Sequence, residues 1–238
     1  MDVSKCFTNS IELSTKVKLV RKTEFIFVRH GETVWNKQRR FQGQSDVPLS
    51  TLGKLQAMAL KERLRDEHID EAYSSDLTRA YETATIILSD RGMSVNKTPS
   101  LRERHLGGFE GLTFDEALAS YPSELEAWLR NPLSRPPSGE GGEELITRVK
   151  RFIDTLLGSC HGKRILIVSH SGPIKVALCV LLRWSIVSLR HFRIANASLS
   201  IVELVDGAGV CKVLNDTCHL GAVHAIAIQQ CESLDQHI

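Results

Sequence analysis

The feature that most constrains this chain is an apolar strand that runs without a break into charged chemistry. Phe25-Ile26-Phe27-Val28 is followed at once by Arg29-His30-Gly31-Glu32-Thr33. An uninterrupted apolar run of that length suits a strand covered on both faces, as in a parallel sheet. Open parallel sheets bind ligands at the carboxyl ends of their strands. The stretch therefore predicts a cation, a nucleophile and a backbone with little bulk at a ligand-binding edge.

Two further strand-to-helix turns carry matching residues. Residues 69–74 read as a strand. They lead to Arg79 in the first turn of a helix that reaches residue 90 and is capped by Ser75 or Asp76. Anions are favoured at that end of a helix. Residues 165–168 are again wholly apolar and predict a central strand. Ser169-His170-Ser171-Gly172-Pro173 joins it to an apolar helix over 173–182.

Between these turns, Ser50 or Thr51 opens a helix with an apolar stripe of Leu52, Leu55, Ala59, Leu60 and Leu64, ending near residue 68. Residues 93–97 predict a third strand, 143–157 an amphipathic helix, and 197–204 with 210–214 a hairpin. Strands alternating with helices predict an α/β fold of three layers, α/β/α, with a mostly parallel sheet and helices on both faces. The length of 238 residues and the apolar fraction of 42% suit one domain over 1–238. Within it, residues 1–22 read as an extension with a short strand at 17–20, and the last dozen residues as frayed. Residues 100–140 hold an irregular loop, short helices at 113–120 and 122–130, and a Pro-, Ser- and Gly-rich stretch. They predict a lid over the sheet's carboxyl edge.

Composition narrows the function. Lys plus Arg is 30 against 28 for Asp plus Glu, a net charge of +2, so neither nucleic acid nor a membrane surface is called for. No run has membrane-spanning length, and the first residues lack the apolar core and cleavage site of a signal peptide. The six Cys form no C-x-x-C pair and read as reduced thiols of a cytoplasmic protein. His105, His219 and His224 have no metal-ligand spacing, so no metal or cofactor is expected. The Gly and Lys at 158–163 fall one residue short of a phosphate-binding loop. Lys37, Arg39 and Arg40 read as a solvated run able to steer anions, and Trp35, Phe109 and Trp128 as packing, with Phe109 a candidate for the substrate entrance.

Arg29-His30, Arg79 and Ser169-His170 lie at the same edge of a parallel sheet, so they can converge. Two arginines and two histidines make a site for a phosphate dianion. Backbone N–H groups of Ser171 and Gly172 at a helix start would add donors. His30 is the better nucleophile: Gly31 gives a phosphoryl group room, and neighbouring cations keep the imidazole neutral. Arg29, Arg79 and His170 would stabilise charge on the phosphoryl oxygens. The leaving alkoxide needs a proton, for which Glu103 is the first candidate and Glu110 the second.

This set resembles the histidine phosphatase superfamily, with its phosphoglycerate mutase-like fold. The likeness rests on residues 29–36 (RHGETVWN), 74–80 (SSDLTRA), Leu101-Arg102-Glu103 and Ser169-His170, in the family's order. It implies His30 as the phosphohistidine residue and Glu103 as proton donor. It implies Arg29, Arg79 and His170 as the phosphate pocket, with Asn36 and Gln42 as further contacts. Gly43 and Ser171 complete the substrate-binding set. Ser171 is a departure, since Gly often follows the second His in the family. Residues 40–46 and 214–220 are similar to segments of α-ribazole phosphatase-like and broad-specificity phosphatases, and the short insertion resembles the phosphatase branch.

The expected activity is therefore metal-independent hydrolysis of a small phosphorylated metabolite through a phosphohistidine. A mutase that returns the phosphoryl group to its substrate is the first alternative. A non-catalytic phospho-ligand binding protein on the same fold is the second. The hairpin's edge strand could pair two subunits into a homodimer, although nothing in the sequence demands it.

Overall fold

Alternate side chains of the first strand decide the layering. In the computed structural model, which describes residues 22–131, 133–221 and 223, β1 spans Thr23–Arg29 and β4 spans Arg164–Ser169. Successive side chains of a strand point to opposite faces. Phe25 and Phe27 of β1 join Ile165 and Ile167 of β4 in one core with α6 (Gly142–Ser159) and α7 (Ser171–Leu182). Ile26 and Val28 join Leu166 and Val168 in a second core with α2 (Thr51–Arg63) and α3 (Thr78–Leu88). Both faces are covered, which is why these strands are apolar throughout.

The sheet has six strands in the order β3-β2-β4-β1-β5-β6, completed by β2 (Glu71–Ser75), β3 (Asn96–Thr98), β5 (Leu199–Val205) and β6 (Ala208–Asp216). β3, β2, β4 and β1 run parallel; β5 is antiparallel to β1, and β6 antiparallel to β5. The mostly parallel α/β architecture and the central place of β4 agree with the sequence. The third strand does not: it is short and begins at Asn96, past the helix end where Gly92 has a φ of +61°. α2 also turns differently, burying Gly53, Gln56, Ala57 and Leu60, while Leu52, Leu55 and Ala59 lie at its border.

The α3 cap is a correction. Asp76 is engaged by Arg102, which donates to its two carboxylate oxygens at 2.7 and 2.6 Å. Asp46, from a distant loop, instead accepts from Thr78 N and Thr78 Oγ1, both at 2.7 Å. A cap supplied by tertiary contact leaves no local pattern to read.

The stretch after β3 holds α4 (Phe114–Ser120) and α5 (Pro122–Arg130), close to the helices expected there. Leu106, Phe109, Ala117 and Leu125 form a third, smaller core, packed by Phe41, Leu112, Tyr121 and Trp128. α1 is a single turn, Val34–Lys37. The strand expected at 17–20, the extension before residue 22, His224 and the frayed end lie outside the described residues. Among the described residues no helix is long and apolar enough to cross a membrane.

Candidate active site

Strand register brings the two histidines together. Arg29 pairs with Ser169 across β1 and β4, so His30 and His170 are the next residues on adjacent parallel strands. His30 N donates to Ser169 O at 3.0 Å, and the ring centroids are 5.0 Å apart. Both rings are buried. Burial holds each imidazole well below the usual histidine range, and Arg79 adds to the effect, with Arg29 contributing further. The direction agrees with the sequence argument, but desolvation outweighs the neighbouring cations.

The His30 tautomer follows from one contact. Nδ1 lies 2.7 Å from Gly31 O. A carbonyl oxygen can only accept, so Nδ1 carries the proton and Nε2 carries the lone pair. The ring lines a cavity of about 390 Å³ at the carboxyl edge of the sheet. Such an imidazole is equipped to attack an electrophile. His170 does not line the cavity; among the described residues neither of its ring nitrogens has a hydrogen-bond partner.

Arg29 and Arg79 flank the pair, and both line the cavity. Arg29 Nη1 donates to Ile194 O at 2.7 Å. Arg79 has no exposed surface, and its two terminal nitrogens each donate at 2.7 Å, to Ser45 O and to Gly43 O. Burial brings its pKa down to about 10, opposed by Glu103 and Asp46. The Nε of each arginine is buried without a partner. Gly43 thus acts through its carbonyl, which aims Arg79. Its φ of +53° and a Cβ position 2.1 Å from Glu110 Oε1 exclude a side chain there.

Asn36 and Gln42 reach the cavity with their amide oxygens turned away from it. Asn36 Oδ1 accepts from Thr33 N at 3.1 Å and Asn196 Nδ2 at 3.2 Å, and Gln42 Oε1 accepts from Thr33 Oγ1 at 2.9 Å. Their NH₂ groups remain to face a ligand.

The two candidate acids separate clearly. Glu103 lines the cavity, its carboxylate held by Arg104 N at 2.8 Å and Gly172 N at 3.3 Å. Glu110 does not line it; it accepts from Gln44 N, Ser45 Oγ and Leu106 N at 3.0, 2.6 and 2.9 Å. Glu110 is a loop clamp, which removes it as the second-choice acid.

The role expected of Gly172 is corrected. Its N–H serves Glu103 rather than an anion in the pocket. A Cβ there would sit 2.3 Å from Glu103 Oε1. The glycine this site needs after the second histidine is thus one residue on, and Ser171 lines the cavity without displacing it. Gly31 is likewise required for packing: a Cβ would lie 2.4 Å from Gly53 O at the start of α2.

Several lining residues escaped the sequence reading. Lys175, Arg104, Trp128, Leu106 and Leu189 all face the cavity, whereas Phe109 is fully buried in the third core. Arg40 also lines it, paired to Glu116 at 2.6 Å. Lys175 carried a signal, being the single charged residue of α7. Asn196 was missed too; its Nδ2 donates to His30 O at 3.2 Å and fastens the loop that bears the histidine. Among the described residues no three His, Cys, Asp or Glu side chains are grouped to hold a metal ion.

Residues 25–217 match the profile described as histidine phosphatase superfamily (branch 1). The chain belongs to that superfamily. It is 34% identical over 207 residues to phosphoserine phosphatase 1 of Hydrogenobacter thermophilus, covering 86% of this chain and 97% of the relative. It is 37% identical over 202 residues to phosphoglycerate mutase-like protein 4 of Arabidopsis thaliana, covering 83% and 86%. The crystal structure of the α-ribazole phosphatase from Shigella flexneri superposes with a TM-score of 0.77 at 31% identity, covering 81% and 96%.

Proposed function

We propose that this protein hydrolyses a small phosphomonoester in two steps through a phosphohistidine on His30. The observation that carries the reading is the locked His30 tautomer, which leaves an Nε2 lone pair in a cavity lined by two arginines that form no ion pair among the described residues. In the first step Nε2 attacks phosphorus and the bond to the leaving oxygen breaks. The protonated Glu103 carboxyl gives its proton to that oxygen. In the second step water attacks phosphorus, Glu103 takes its proton, and the P–N bond breaks to restore the lone pair.

Arg29 and Arg79 supply the charge that the phosphoryl oxygens require, in a buried setting where such contacts are strong. His170 packs with its ring centroid 5.0 Å from that of His30 and does not line the cavity, so the further donors to phosphate are the amides of Asn36 and Gln42. With these groups neutralising phosphate, turnover should not depend on a metal. The phosphatase names among the relatives favour hydrolysis; the mutase-like name makes phosphoryl return the outcome to test against.

The test is inorganic phosphate release from a panel of phosphomonoesters with EDTA present and 3-phosphoglycerate included. Release establishes the hydrolase. No release, with conversion of 3-phosphoglycerate to its 2-isomer once a bisphosphorylated primer is added, would replace it with a mutase. Phosphoester binding with neither activity would favour the non-catalytic alternative.

A further inference from the structure

The cavity holds more positive charge than a phosphate needs. Arg29, Arg79 and Lys175 line it, and none forms an ion pair among the described residues. Among the described residues the one lining carboxylate is Glu103. Arg40 and Arg104 also line the cavity but have partners of their own, Arg40 with Glu116. With Glu103 as the proton-carrying acid of the proposed reaction, a phosphate dianion balances Arg29 and Arg79 and leaves Lys175 for a second anion.

Lys175 is placed to meet a second anion. It follows Ser171 by four residues on α7, so the two share a helix face about 6 Å apart along the axis. Both line the cavity, Ser171 beside His170 and Lys175 one turn further up. Helical side chains lean toward the N-terminus, which tilts the ammonium back toward the phosphate end. Nζ donates to Leu189 O at 2.9 Å, which holds it in place and leaves two of its N–H groups. The surrounding lining is apolar, from Leu145, Val176 and Leu189. Such walls weaken solvent screening, so an ammonium there discriminates strongly between a charged and a neutral group. Burial lowers the Lys175 pKa, opposed by the Glu103 carboxylate across the cavity lining.

We infer that Lys175 is a specificity-determining residue and that the substrate is a phosphomonoester whose leaving group carries a carboxylate near the esterified oxygen. This deepens the hydrolase reading and rests on the same cavity.

A matched pair tests it: 3-phosphoglycerate and glycerol 3-phosphate differ chiefly in a carboxylate against a hydroxymethyl group. Binding of each is measured by calorimetry, and phosphate release in parallel, for the wild type, Lys175→Met and Lys175→Arg. The wild type should prefer the carboxylate by about 10–100-fold in Kd, the strength of a charge-assisted hydrogen bond. Lys175→Met should bring that ratio close to one, and Lys175→Arg should restore most of it. A wild type without preference, or a Lys175→Met variant that weakens both ligands alike and keeps the ratio, would overturn the inference. Absence of phosphate release alone would overturn the hydrolase reading and leave the binding ratio to decide the role of Lys175.

Discussion

The two ends of the cavity are built on different principles. At the phosphate end, His30 and His170 sit on adjacent strand ends, and Arg79 is fully buried with its guanidinium fixed by two carbonyls. At the leaving-group end, Phe41, Leu106 and Trp128 come from loops and short helices around a separate small core. The first end is rigid because the sheet and the main core hold it. The second can change shape without disturbing the first. A family can therefore keep one chemistry while its substrates diverge, since function-bearing loops vary over a fixed scaffold.

Substitutions at the two ends should differ in size and in kind. Arg79→Met should lower kcat/KM by about 10²–10³-fold for every substrate, as loss of a preorganised charge donor does. Arg79→Lys should not rescue it, because a point charge cannot reach both Gly43 O and Ser45 O. Steady-state kinetics on three unlike substrates checks this; an effect confined to one substrate would break the comparison.

Glu103→Gln sits between the ends. It should cost about 10²–10³-fold on an alkyl phosphate. The loss should be smaller on 4-nitrophenyl phosphate, whose leaving group departs without a proton. Equal losses on both would remove Glu103 from proton transfer.

Trp128→Ala, at the variable end, should reorder substrates through KM by about tenfold or less. A uniform fall in kcat would show that the end is less independent than its separate core suggests.

The mildest probe is pH. His30 and His170 are held well below the usual value of 6.5 in the folded state. Between those folded values and 6.5 the unfolded chain binds more protons, so stability is full above about pH 6.5 and falls on acidification. The acid limb of kcat/KM set by His30 should likewise lie well below 6.5. Denaturant titrations and rate profiles over that window check both signs; a limb at 6.5 would contradict a buried neutral pair.

The contrast also explains what the sequence could disclose. Phe25–Val28 and Ile165–Val168 were legible because strands covered on both faces must be apolar, and the residues ending them fall at one edge. Asp46 capping α3 was not, because the partner is far along the chain. Glu103 and Glu110 looked alike as loop carboxylates and part only through Gly172 N and Ser45 Oγ. Phe109 is the aromatic expected at the substrate entrance and Trp128 reads as packing, and the structure reverses the two. Which of them faces the cavity depends on how α5 packs over Phe41. Lys175 went unread although it is the lone charge of an apolar helix, a pattern that marks a side chain with a polar destination.

The most direct test is to quench the enzyme with acid or base during turnover of a radiolabelled phosphomonoester and locate the bound phosphate. The account predicts acid-labile, base-stable phosphate on the peptide containing His30, none on His30→Ala, and no phosphate release by that variant. Label on another residue, or sustained turnover by His30→Ala, would contradict it.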